Sequence, residues 1–123
     1  MALGKRFLKW VIRKSFEGIL KGSIFNTAVT ASTNIFASDL TPSYSPTLFR
    51  IYCCFDTAGV LSVIRKKDTT TVTEQLNSGN SLNANAAYMF DILVEEGENI
   101  NLQYSVDATC LVLKVVEIPC MVS

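Results

Sequence analysis

Residues 87–118, AYMFDILVEEGENINLQYSVDATCLVLKVVEI, carry the pattern on which the fold turns. Tyr88, Phe90, Ile92 and Val94 alternate with Met89, Asp91 and Leu93, the two-residue period that predicts a strand over 87–94 with the first set inward. EEGE at 95–98 is a turn, and 98–106 alternates again, with Ile100, Leu102, Tyr104 and Val106 inward and Asn99, Asn101, Gln103 and Ser105 outward. The third run, 109–118, is apolar at both parities apart from Lys114 and Glu117. A strand of that kind is covered on both faces, by its own chain or by a neighbour.

The same code extends upstream. In 47–55, TLFRIYCCF, Phe49, Ile51, Cys53 and Phe55 share one face, with Arg50, Tyr52 and Cys54 on the other. DTAG at 56–59 then reads as a hairpin turn into 60–67, with Gly59 available for positive φ, and 69–76 follows as a polar edge strand. Two shorter strands are expected near 26–30 and 33–37, ahead of a connection at 39–46 marked by Pro42 and Pro46. About eight strands at this spacing predict a mainly β chain, an eight-stranded antiparallel β-sandwich of the jelly-roll kind, with a seven-stranded immunoglobulin-like sandwich as the lesser alternative.

Residues 4–22, GKRFLKWVIRKSFEGILKG, follow another period. Leu8, Val11, Ile12, Phe16, Ile19 and Leu20 form one helical stripe, widened by Phe7 and Trp10, which predicts one N-terminal amphipathic α-helix ending at Gly22. The chain therefore divides into a basic helical arm, 1–23, and a β-sandwich domain, 24–123. Lys5, Arg6, Lys9, Arg13, Lys14 and Lys21 form the basic face. With Glu17 as the only acid, residues 1–22 carry +5 and the remainder carries −5, so a net charge of zero hides a cationic arm on an acidic body. The stripe of Leu8 to Leu20 suits an assembly helix docked on a neighbouring subunit. The basic face suits a nucleic-acid or membrane surface met through residues 5–21. No apolar window is long enough for a membrane-spanning helix, and the charges at Lys9, Arg13 and Lys14 interrupt a signal-peptide core, so the chain is expected to be made in the cytoplasm without a cleaved signal peptide.

The order of FRIYCCFDTAGVLSVIRK, an Asn-rich loop, a Y-x-F-D-I-L-V strand, a G-E-x-I-N-x-x-Y-S strand and a last apolar strand resembles the small jelly-roll structural proteins of bacterial and archaeal viruses: decoration, spike or tail-associated subunits. More loosely, it resembles C1q/TNF-like trimeric modules. The resemblance covers about residues 33–118 and implies a virion location, with copies of the same chain and other virion proteins as partners; it carries over no binding residues.

The chemistry-bearing residues give little beyond this. There is no histidine, which removes the commonest general base and zinc ligand. Cys53, Cys54, Cys110 and Cys120 form no CxxC pair; they suit reduced structural thiols, with a Cys54–Cys110 disulfide as the alternative. A cysteine nucleophile would need Arg50 or Lys114 beside Cys54 or Cys110. Asn77, Asn80, Asn83 and Asn85 in NSGNSLNANA present amides that suit sugar hydroxyls, or simply turn the chain. Glu95, Glu96 and Glu98 suit a weak calcium site or a solvated turn. The expected function is a non-enzymatic structural subunit that self-assembles into a virus particle or similar shell or filament. A carbohydrate- or calcium-dependent binding module and a membrane-surface protein are the alternatives.

Overall fold

A computed structural model describes residues 18–120. Seven strands follow in chain order: β1 (Ile19–Val29), β2 (Thr47–Phe55), β3 (Leu61–Lys67), β4 (Thr70–Gln75), β5 (Tyr88–Val94), β6 (Glu98–Tyr104) and β7 (Ala108–Pro119). They form two antiparallel sheets, β1-β7-β2-β5 and β4-β3-β6. The inward sets of the facing sheets make one core, in which Phe49, Ile51, Phe55, Leu61, Val63, Leu102, Tyr104, Leu113 and Val115 are at most 1% exposed. Tyr104 stacks on Phe55 with ring centroids 3.8 Å apart and donates its hydroxyl to the Thr57 carbonyl at 2.7 Å, so the largest core side chain leaves no unpaired polar atom.

The predicted N-terminal helix is corrected. Apart from the three-residue 3-10 turn Asn77–Gly79, the described residues contain no helix, and β1 begins at Ile19. Ile19, Leu20 and Lys21, placed in the helical stripe and basic face by their spacing, pair with β7 instead: Ile19 lies opposite Glu117 and Leu20 opposite Val116. Cross-strand hydrogen bonding along β7 outweighs a helical period that 19–21 only extends. Leu8, Val11, Ile12 and Phe16, with Lys5, Arg6, Lys9, Arg13 and Lys14, lie outside the described residues.

The count of eight strands is also corrected to seven, because 33–37 is bent rather than regular. It still takes a strand's place. Ser32, Ile35 and Leu40 donate to the carbonyls of Tyr104, Leu102 and Ile100 at 2.7–2.8 Å, so 32–40 runs along the free side of β6. Buried Asn101 replaces the missing ladder bonds: its Oδ1 accepts from Phe36 N–H at 3.1 Å, and its Nδ2 donates to the Phe36 carbonyl and Asp39 Oδ1, both at 2.9 Å.

The hairpin expected at 56–59 does not form. β2 and β3 lie in different sheets, so DTAG carries the chain across the sandwich, and EEGE does the same between β5 and β6. Of the consecutive elements, counting 32–40, only β3 and β4 are neighbours in one sheet, joined through Asp68 at φ 54° and Thr69. This alternation between layers is consistent with a jelly roll. Gly59 is needed for closeness rather than for positive φ: a Cβ there would sit 2.8 Å from the Tyr104 ring.

Candidate functional site

The register places the alternate residues of β1, β7, β2 and β5 in four rows on the outer face of the four-stranded sheet. Phe25, Val112 and Cys54 form one row; Ser23, Lys114, Tyr52 and Met89 the next; Leu20, Val116, Arg50 and Asp91 the third; Ile118, Leu48 and Leu93 the last. No described element packs over them. Phe25 is 79% exposed, Leu20 60%, Met89 53%, Leu93 52% and Tyr52 41%, while Leu48, Val112, Val116 and Ile118 between them are half-buried. Exposed apolar side chains grouped on one face in this way make it the candidate contact surface among the described residues.

Its polar groups are few and largely spent on each other. Arg50 and Asp91, opposite one another on β2 and β5, form a two-pronged ion pair at 2.9 and 3.1 Å, which raises the guanidinium pKa. Lys114 is the one exposed cation in the rows. The chain joins this face at Gly18, whose φ is 73°; a side chain there would collide with Val116.

On the inner face of the same sheet, Glu117 is fully buried. Its carboxylate accepts from the N–H groups of Ser43 (3.0 and 2.9 Å) and Tyr44 (3.0 Å) and pairs with Lys21 Nζ at 3.1 Å. Lys21 Nζ also donates to Ser43 Oγ at 2.7 Å. Burial pushes this carboxyl up, but the donated hydrogen bonds outweigh it and hold it below the ordinary glutamate value. Lys21 is therefore half of a buried clamp between β1, β7 and the 41–46 loop rather than part of a solvated basic face. Sequence reasoning missed the clamp. Its signal was the parity of Glu117 with Leu113 and Val115, which points it into the core.

The other candidate residues do not converge. Asn77 and Asn85 take φ of 56° and 61°, Asn83 donates its N–H to the Tyr88 hydroxyl, and Asn85 donates its N–H to the Phe55 carbonyl, so the loop's asparagines shape the turn and tie it down. Asn80 donates its backbone N–H to the Asn77 carbonyl within the same turn. Glu98 accepts from Arg65 Nη1 at 3.0 Å and from Glu95 N–H at 2.8 Å, and among the described residues no group of three or more acidic or cysteine side chains is placed to hold a metal ion. The four cysteines are free thiols. Cys54 lies on the outer face and Cys110 in the core, which separates the pair considered for a disulfide. Burial pushes the Cys53 and Cys110 thiols up to about 12, keeping them protonated at neutral pH.

Comparison with known proteins gives no match to a family model and none to a curated sequence.

Proposed function

We propose that this chain is a non-enzymatic structural subunit that assembles with copies of itself into a virus particle or a similar shell or filament. The observation that carries the reading is the uncovered apolar face of β1, β7, β2 and β5. A second copy of this face is the occupant that its composition favours. Strands about 4.8 Å apart and same-face rows about 6.8 Å apart give each face about 500 Å². Two stacked faces then bury about 1,000 Å², near the lower bound of a specific interface, so repeated contacts in an assembly suit it better than an isolated dimer. With Arg50 and Asp91 already paired, Lys114 is the one charge in the rows that stacked copies must accommodate in the contact. The jelly-roll strand order, and the likeness of the strand sequences to small viral jelly-roll subunits, support the virion as the setting.

Light scattering coupled to size-exclusion chromatography, with electron microscopy of the same sample, tests the reading. Multimers at about 10 µM are expected for the native chain, with rings, filaments or shells on the grid. Met89→Lys with Leu93→Lys, which places charge on the outer face and leaves the core set of β5 intact, is expected to weaken association by about tenfold or more. A native chain that stays monomeric at that concentration would refute the proposal.

A further inference from the structure

The sandwich has four lateral edges, and three are protected against pairing with another strand. On β5, Arg65 Nη1 donates to the Leu93 carbonyl at 2.7 Å, and Asp91 adds charge. The six-residue β4 is polar and threonine-rich, and its Glu74 is bound to Arg65 at 2.6 Å. Beside β6, the bent 32–40 segment closes the third edge with its own hydrogen bonds and those of Asn101. Short, charged or irregular edges of this kind are how sheet proteins avoid edge-to-edge pairing.

β1 is built differently. It is eleven residues long, and its 22–29 stretch, GSIFNTAV, holds neither a charge nor a proline. Ser23 and the residues from Phe25 to Ala28 are exposed. Among the described residues, no backbone group outside β7 bonds to β1; the Thr27 hydroxyl donates to the Phe25 carbonyl at 3.0 Å, and the Phe36 ring of the 32–40 segment lies against Gly22 without a hydrogen bond to the strand. The irregularities near Lys21 and at Asn26, whose φ is 47°, still leave regular ladder on either side.

We propose that the free edge of β1 pairs antiparallel with β1 of a second copy about a two-fold axis, joining two four-stranded sheets into one of eight. This rests on the assembly reading and supplies its first step. A second copy fits because an uncharged strand laid against itself brings no like charges together. The nearest charge, Lys21, is already neutralised by Glu117. An axis normal to the sheet also puts both outer apolar faces on the same side, doubling the continuous patch available for the next contact.

The full chain carrying Met89→Lys and Leu93→Lys on β5, at the opposite edge of the sheet, separates edge pairing from face stacking. At about 50 µM it is expected to remain a dimer by light scattering, and its 22–29 amides to exchange about tenfold faster on dilution to sub-micromolar concentration. Ser23→Pro and Thr27→Pro are each added to that background. At least one is expected to keep the native circular dichroism spectrum and raise the dimer Kd by about tenfold or more. If the double-lysine chain is monomeric while the native chain assembles, edge pairing is wrong and the face reading survives. A monomer whose 22–29 amides stay protected at every dilution shows the edge covered by its own chain, which also overturns the proposal. Two proline variants that fold and dimerise unchanged do the same, and where neither folds the dilution experiment decides. A native chain that is monomeric throughout removes both readings.

Discussion

Glu117 shows how one side chain fixes three parts of the chain at once. It holds the 41–46 loop through two backbone N–H groups, β1 through Lys21 and, as a β7 residue, the centre of the sheet. Removing one partner from a buried pair leaves the rest unsatisfied, so Glu117→Gln is expected to cost about 2–3 kcal/mol at neutral pH, measured by urea unfolding. The pH dependence has a fixed sign. The folded carboxyl lies below the ordinary value of 4.5, so the clamp stabilises fully above that value and is lost as pH falls through the folded one. Glu98 shifts in the same direction: burial opposes the change, but the Glu95 N–H and Arg65 outweigh it. Stability is therefore expected to fall with acid below about pH 4.5. The gap between the native chain and Glu117→Gln should narrow as pH falls through the lowered value of the folded carboxyl, where the native side chain is itself becoming protonated. The inward direction of Glu117 was legible in TCLVLKVVEI. Its partners were not, because Ser43 and Tyr44 lie in a proline-flanked connection more than seventy residues away.

Among the elements, those whose faces differ chemically were the readable ones. β2, β5 and β6 place Phe49, Ile51, Ile92, Val94, Ile100 and Leu102 inward as their alternation requires. Alternation tells which side of a strand is buried but not which sheet the strand joins, and DTAG and EEGE therefore read as hairpin turns where the chain crosses the sandwich. β1 hid for another reason. Its register shifts between Leu20 and Gly22 and it kinks at Asn26, so no single two-residue period runs through it, while 19–20 continue the helical spacing of the residues before them. The 32–40 segment depends on a residue expected to face solvent. Asn101 is 1% exposed and supplies three of that segment's contacts. Asn101→Leu keeps the size but leaves the Phe36 N–H and carbonyl without partners, so a loss of about 1–3 kcal/mol is expected. Hydrogen exchange at 35–40 should accelerate more than exchange in β2 or β7, and equal acceleration everywhere would show that Asn101 does not act on this edge alone.

At the scale of the molecule, layer alternation means that almost every sheet contact joins residues distant in sequence. Such topologies fold slowly, because long loops must close before their contacts reward them, and refolding in the millisecond-to-second range is expected by stopped flow. One core threads both layers, so unfolding should be a single transition. Leu113→Ala at the centre of β7 should lower stability by about 2–5 kcal/mol when followed by any probe, and separate transitions for the two sheets would contradict a shared core. The strand that makes this core continuous is not uniform itself. Cys54 pairs with Val112 and Phe55 with Cys110, leaving Leu111 unopposed on β2, and Cys110 and Leu113 are both buried although three positions apart. β7 is thus two half-strands of opposite phase spliced at one residue. The downstream half faces its odd-numbered residues inward and its even-numbered ones toward the outer face of the sheet, while the upstream half does the reverse. Loss of Leu111 would bring the two halves into one phase, so that an unbroken two-residue period would run the length of β7 with the same residues inward and outward and the bulge against β2 would vanish.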